Sequence, residues 1–227
     1  PVQAALDGIR TQRGIAFLTT KDHARGLEGR LTLPSFDEVR DDKRKFAKAA
    51  YFIEYEASPY NGRRLVQYHG SKAVVINPPA LPLSTEELDS VYEMPFTKEQ
   101  HPSYKERIPA ADMIRFSVNS TRGCFGGCSF CAITLHQGRV VQSRSEDSLL
   151  KEIEDLNQVP GFKGQVSDIG GPTANMYQLR CKSKEVQSKC RKLSCVHPKV
   201  CPHLHKDHTP SVNLLKKARK IPGIKQI

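Results

Sequence analysis

"DMIRFSVNSTRGCFGGCSFC", residues 112–131, is where the chain changes rhythm. Its first half, DMIRFSVN (112–119), reads as a strand, and three cysteines follow within eight positions: Cys124, Cys128 and Cys131. Downstream, SRSEDSLLKEIEDLN (143–157) predicts a helix capped by Ser145, with Glu146 and Asp147 at its positive end. Leu149, Leu150, Ile153 and Leu156 form its apolar stripe, and Pro160-Gly161 stops it. GQVSDIGG (164–171) reads as the next strand, SVNLLKKARKIPG (211–223) as a helix, and IKQI as the start of a third strand. Strand, loop, helix, strand, helix, strand is the alternation of an α/β fold with a parallel sheet or barrel.

Upstream the pattern is mixed. PSFDEVRDDKRKFAKAAYFIEYEA (34–57) has helical spacing at Val39, Phe46, Ala50 and Ile53 after a Ser35/Asp37 start signal. RLVQYHGSKAVVINPP (64–79) reads as two strands around the turn His69-Gly70-Ser71. LSTEELDSVYEM is a short helix with a Ser84-to-Glu87 capping box. Residues 1–35 hold short apolar runs such as GIAFLTT with no firm assignment. The proline-punctuated stretch PFTKEQHPSYKERIPAAD reads as a connector, which sets a boundary near 106/107. Two parts result: a mixed α/β region over 1–106, and a βα region over 107–227 carrying a Cys/His-rich insertion at about 180–208.

The chain has 227 residues, 38% of them hydrophobic, and no apolar run long enough to span a membrane. It opens on PVQAALDGIRTQRG, with neither an initiator Met nor a signal-peptide pattern, and is expected to be a piece of a longer polypeptide. The net charge of +11 is concentrated: residues 180–227 hold 13 Lys and Arg against 2 Asp and Glu, so the rest of the chain balances. Such a segment is either a solvated basic face or an attraction for polyanions. Seven cysteines without a secretion signal favour metal or redox chemistry over disulfides, and a reducing cytoplasm as the compartment.

Thiolates are soft donors suited to zinc, Cu(I) and iron–sulfur clusters. Gly126 and Gly127 inside the first gap let the backbone wrap closely around a bound object and bring amide N–H groups to it. Three cysteines can hold three irons of a cubane and leave the fourth open to a small molecule. The competing assignment is zinc, with His136 completing a Cys₃His set; otherwise His136 makes an ordinary loop hydrogen bond.

RGCFGGCSFC has the C-x₃-C-x₂-C form of radical SAM enzymes, with an aromatic, Phe130, before the last Cys. IPAADMIRFSVNSTRGCFGGCSFCAIT, GRVVQSRSED, DIGGPTANMYQLRCKS and SCVHPKVCPHL resemble YgiQ-type radical SAM proteins, and KRKFAKA and NPPALPL resemble the region before their barrel. The resemblance implies a partial radical SAM (βα) barrel truncated near its third strand. It implies a 4Fe–4S cluster on Cys124, Cys128 and Cys131, whose open iron takes S-adenosylmethionine (SAM). Reductive cleavage of SAM would give a 5′-deoxyadenosyl radical that abstracts hydrogen from an unknown substrate, with an external electron donor. Phe130 would lie against the adenine, and Gly170 and Gly171 match the glycine pair whose backbone receives the methionine amino group. Pro172 follows that pair where most of the superfamily has Glu. Asp168 is a strand-end residue or a SAM contact, and Arg122 and Arg139 are structural or hold SAM or substrate. The resemblance covers nearly the whole chain, yet the family's barrel has more βα units, so full activity from this piece is not expected.

A second set, Cys181, Cys190, Cys195 and Cys201, has gaps of eight, four and five residues, with His197, His203, His205 and His208 interleaved. It can hold an auxiliary cluster or a zinc ion, or stand as thiols in a lid. As a loop after a barrel strand it should rise on the face of the first cysteine loop. Lys182, Lys184, Lys189, Arg191 and Lys192 would favour an anionic substrate. The rival class is a zinc-stabilised basic nucleic-acid-binding module, with zinc on the two cysteine sets and the basic tail on phosphates. Against it, Trp is absent, and Tyr177 is the one aromatic near the tail.

Overall fold

The computed structural model of the protein describes residues 8–172 and 175–227; the opening PVQAALD and Thr173-Ala174, within the quoted DIGGPTANMYQLRCKS, lie outside them. The chain forms two units. One takes the described residues up to Pro82 together with Phe125–Arg139 and Ser183–Cys201; the other takes Leu83–Cys124, Val140–Lys182 and Pro202–Ile227.

The first unit is built on a sheet of four strands: β1 (Ala16–Thr20), β2 (Arg30–Thr32), β3 (Arg64–His69) and β4 (Lys72–Ile76), in the order β1-β4-β3-β2. The expected strand pair is there. β3 and β4 form an antiparallel hairpin from Leu65↔Ile76 to His69↔Lys72, and Gly70 turns it at φ +53. GIAFLTT, unassigned from sequence, supplies β1, which pairs antiparallel with β4. β2 runs parallel to β3. Alternation places Val66, Ala73 and Val75 on one face, where they pack with Ala24 of helix α1 (Lys21–Gly26).

The single helix expected over 34–57 is two: α2 (Phe36–Asp41) and α3 (Lys43–Tyr55). Asp42 breaks it, with φ −128 and ψ 112, and its carboxylate accepts from Arg44 N at 2.7 Å, capping the second helix as the first ends. Ser35 and Glu38 close a capping box at the start. The expected stripe also shifts: Phe46 is 60% exposed, Ala50 is exposed, and Ala49 is the buried residue of α3. Later stretches add α6 (Ile133–Gln137) and α8 (Lys184–Lys189) to this unit.

The second unit begins with α4 (Thr85–Tyr92), started by the Ser84–Glu87 capping box. After the irregular connector comes α5 (Pro109–Ile114), which takes residues expected to be strand; Pro109, with its φ preset, begins a helix. The strand β5 is therefore only Ser117–Asn119. It pairs in parallel with β8 (Asp168–Gly170) in the register Ser117↔Asp168, Val118↔Ile169, Asn119↔Gly170. The ribbon β6 (Thr121–Arg122) with β7 (Gln142–Ser143) follows β5. Helix α7 (Glu146–Asp155) is capped by Ser145, whose hydroxyl accepts from Ser148 N at 3.1 Å. Its stripe is the core: Leu149, Ile153 and Leu156 are fully buried beside Val118, Val166, Tyr177 and Leu214, with Leu150 packed at the edge. Helix α9 (Thr209–Ala218) contributes Leu214 and Ala218. IKQI is not a strand: Gln226 makes one parallel bridge to Gln165. The fold is mixed α/β, and the described strands close no barrel. No helix among the described residues is long and apolar enough to cross a membrane.

Candidate functional site

Two adjacent parallel strands end together in the second unit. Beyond β5, Ser120 donates to the Gly170 carbonyl from both its N (2.6 Å) and its Oγ (2.9 Å). These two bonds engage both lone pairs of that carbonyl. Gly170 is thus occupied within the fold, and a bound amino group would have to be received elsewhere on the Gly-Gly pair. Gly171 is forced by packing: a Cβ there would lie 2.1 Å from Thr121 Oγ1. Asp168 is exposed, and a Cβ at Gly170 would meet its Oδ2 at 2.9 Å, so this acid leans along its own strand toward Gly170. Arg122 is exposed in β6.

The cysteine loop leaves β6 through Gly123, at φ +91, and reaches buried Cys124. From Phe125 the chain belongs to the first unit. There Gly127 adopts φ +62 and lies so close to Leu193 that a Cβ would sit 2.2 Å from the Leu193 carbonyl oxygen. Both conditions exclude any other residue. Cys131 N donates to the Cys128 carbonyl at 3.1 Å, a tight turn that leads into α6. Cys128 is exposed, Cys131 half-buried, and Phe130 is 91% exposed. His136 is exposed, in the last turn of α6.

The second cysteine set is divided. Cys181 belongs to the second unit, where it bridges antiparallel to Leu204, while Cys190, Cys195 and Cys201 belong to the first. These three lie on the segment that packs on the first cysteine loop. Cys195 N donates to the Phe125 carbonyl at 3.0 Å, and Cys201 N donates to the Cys195 carbonyl at 2.7 Å. Arg139 donates from Nη1 to the Lys192 carbonyl at 3.1 Å and from Nη2 to the Glu54 carbonyl. It therefore straps the segment down. Burial pushes the Arg139 guanidinium below its ordinary value.

A second strap was not legible in the sequence. Glu56, at the end of α3, is buried and accepts from Arg63 Nη2 (2.7 Å), Arg63 N (2.8 Å) and Arg191 Nη2 (2.9 Å). Arg191 also lies 4.1 Å from the centre of the Tyr55 ring. Asn61 Nδ2 donates to the carbonyls of Ser188 (2.9 Å) and Cys190 (3.3 Å). Burial alone would raise the Glu56 carboxyl, but the bonds from Arg63 and Arg191 outweigh it and hold it low.

The seven cysteines are thiols with no disulfide among them. Among the described residues, no three His, Cys, Asp or Glu side chains are already gathered as a metal-binding group. The donor chemistry nevertheless fits an iron–sulfur cluster. Three thiols lie within eight residues, on a loop whose glycine backbone a larger residue would disrupt.

The chain matches the family described as radical SAM N-terminal over residues 3–117. It is 56% identical over 199 residues to UPF0313 protein YgiQ of Salmonella typhimurium, covering 87% of this chain and 28% of that protein. It is 56% identical over 197 residues to UPF0313 protein YgiQ of Escherichia coli K12, covering 86% and 27%. A UPF0313 protein of Methanocella arvoryzae is 51% identical over 215 residues, covering 95% and 36%. The chain thus spans between a quarter and about a third of the length of these relatives.

Proposed function

This chain belongs to the radical SAM N-terminal family, and we propose that it carries the opening part of a radical SAM catalytic core. In this reading residues 1–106 precede the core, and 107–227 begin a partial (βα) barrel. Cys124, Cys128 and Cys131 hold a 4Fe–4S cluster as thiolates, leaving one iron for S-adenosylmethionine. When bound, the cluster supplies the single electron that splits the SAM sulfonium so that hydrogen can be taken from a substrate.

The observation that carries this reading is the C-x₃-C-x₂-C spacing of Cys124, Cys128 and Cys131, in the loop that follows β5 and β6 along the chain. The carboxyl ends of parallel strands are where α/β folds bind their ligands. Each residue then has a task. The exposed ring of Phe130 offers a face to the adenine. Gly127 keeps the loop's backbone close to Leu193. The Gly170 carbonyl is committed to Ser120, so the methionine end of SAM is received by the remaining backbone at Gly171. Arg139 strengthens the loop's setting through its bond to the Lys192 carbonyl. The electron comes from an external donor, a reducing cytoplasm suits the thiolates, and the basic stretch from Lys182 to Lys192 favours an anionic substrate.

The test is anaerobic reconstitution with iron and sulfide, reduction by dithionite in the presence of SAM, and quantitation of 5′-deoxyadenosine and methionine. It should be made on a polypeptide of the length of the relatives. Both products should form and should vanish in Cys128→Ala. Failure to bind or cleave SAM with a full cluster in place would overturn the proposal.

A further inference from the structure

Arg44, Lys48, Tyr51 and Tyr55 follow one another at intervals of four, three and four residues, so they share one face of α3. Arg44, Lys48 and Tyr51 are exposed, Tyr55 is half-buried, and the buried Ala49 lies on another side of the helix. A surface helix ordinarily keeps such a face polar. Here the Tyr51 and Tyr55 rings stack with centroids 5.7 Å apart and planes 15° from parallel, and Tyr51 is still 52% exposed. Tyr55 is held in turn. The Arg191 guanidinium lies 4.1 Å from its ring centre, and Glu56 Oε1 accepts from Arg191 Nη2 at 2.9 Å. The Glu56 strap thus fixes an aromatic platform in place before any ligand arrives, and a flat ligand laid on Tyr51 costs little side-chain entropy.

The helix that carries the platform is positive. It holds Lys43, Arg44, Lys45 and Lys48 against one acid, Glu54. The carboxylates around its start are already engaged: Glu38 pairs with Lys45 at 3.1 Å, Asp37 and Asp41 pair with Arg40, and Asp42 accepts from Arg44 N. Lys43, Arg44 and Lys48 have no ion-pair partner among the described residues. Exposed rings interleaved with unpaired cations complement a single strand of nucleic acid, in which each base offers a flat π face and each phosphate a negative charge. In a duplex the bases are stacked on one another and closed to Tyr51. An acidic peptide would satisfy the cations and leave the rings without a flat partner.

We propose that this face of α3 binds single-stranded nucleic acid, with a base stacked on Tyr51 and backbone phosphates on Arg44 and Lys48. Tyr55, Arg191 and Glu56 hold the platform. All of these residues belong to the first unit, and the face needs neither a cluster nor SAM, so the proposal is independent of the radical SAM reading.

The test is fluorescence anisotropy of a 5′-fluorescein-labelled oligodeoxythymidylate of about 12 nucleotides, titrated with this chain under reducing conditions over a range of salt concentrations. The basic stretch after Arg180 attracts any polyanion, so the variants carry the decision. Tyr51→Ala should weaken binding about tenfold, Tyr51→Phe should leave it unchanged because the ring remains, and Phe46→Ala, off the stripe, should also leave it unchanged. Replacing Arg44 and Lys48 together by Gln should lower the slope of log affinity against log salt by about 0.7 for each charge removed. The loss in Tyr51→Ala should be confined to the single strand, with the affinity for a duplex of the same length unaltered. No binding at low salt, unchanged affinity in Tyr51→Ala, or an equal loss for the duplex or for polyglutamate would overturn the proposal. Tyrosine fluorescence, readable because the chain has no Trp, keeps the test open if Tyr51→Ala does not fold. It should be quenched when the unsubstituted chain binds the oligonucleotide, and binding without quenching would refute the stacking.

Discussion

Replacing Glu56 with Gln removes one negative charge from a carboxylate with no exposed side-chain surface, while keeping its shape. Two cations lose their partner: Arg63, 49% exposed, and Arg191, 26% exposed. Breaking a fully buried pair costs about 3–5 kcal/mol. Here both guanidiniums regain water, and Gln still accepts from Arg63 N, so the expected cost is about 2–3 kcal/mol. For a unit of this size that corresponds to a Tm lower by roughly 10–20 °C. The pH dependence carries the sign. The Glu56 carboxyl is held below its ordinary value of 4.5. Its contribution is therefore complete above that value and is lost as the pH falls through the lowered one. Urea unfolding of both proteins at neutral pH and at successively lower pH should show a gap that closes in acid. A gap under about 0.5 kcal/mol at neutral pH, or one that does not close, would refute the reasoning.

Gly171→Ala should destabilise the second unit by about 1–3 kcal/mol through the clash with Thr121 Oγ1, and Thr121→Ala should recover most of that in the double variant, since the next Thr121 atoms are 3.4 Å away. Urea midpoints of the single and double variants measure the coupling. Ile153→Ala, at a fully buried position of α7, should cost about 2–5 kcal/mol. Ser145→Ala removes the cap bond from Ser148 N and should cost about 0.5–2 kcal/mol, visible as a lower midpoint without a changed slope.

What could be read in advance follows from which signals side chains carry. Ser84, Glu87 and Ser145 mark helix starts because their own oxygens make the caps, and the structure has those caps. The hairpin around Gly70 and the stripe of α7 were legible for the same reason. β1 was not, because a strand with Leu18 52% exposed offers little contrast between its faces. The break at Asp42 was hidden inside a continuous helical pattern. β5 and β8 are three residues each, too short for periodicity to bound them, and Pro109 begins a helix that takes Asp112, Met113 and Ile114, ahead of β5. At the candidate site the three thiols stand out by spacing. The strap from Glu56 to Arg191 joins residues 135 positions apart, and the bond from Cys195 N to Phe125 O is main chain. Neither leaves a local mark. Ser120 and Thr121 constrain the Gly170-Gly171 pair from across the strands, which no local pattern marks.

The central claim is that Cys124, Cys128 and Cys131 hold an iron–sulfur cluster. The most direct measurement is iron, acid-labile sulfide and zinc per chain after anaerobic reconstitution, on the unsubstituted chain and on the variant with all three replaced by Ala. The predicted difference between the two is about four iron and four sulfide per chain. Zinc lost from the variant, with no difference in sulfide, would contradict it.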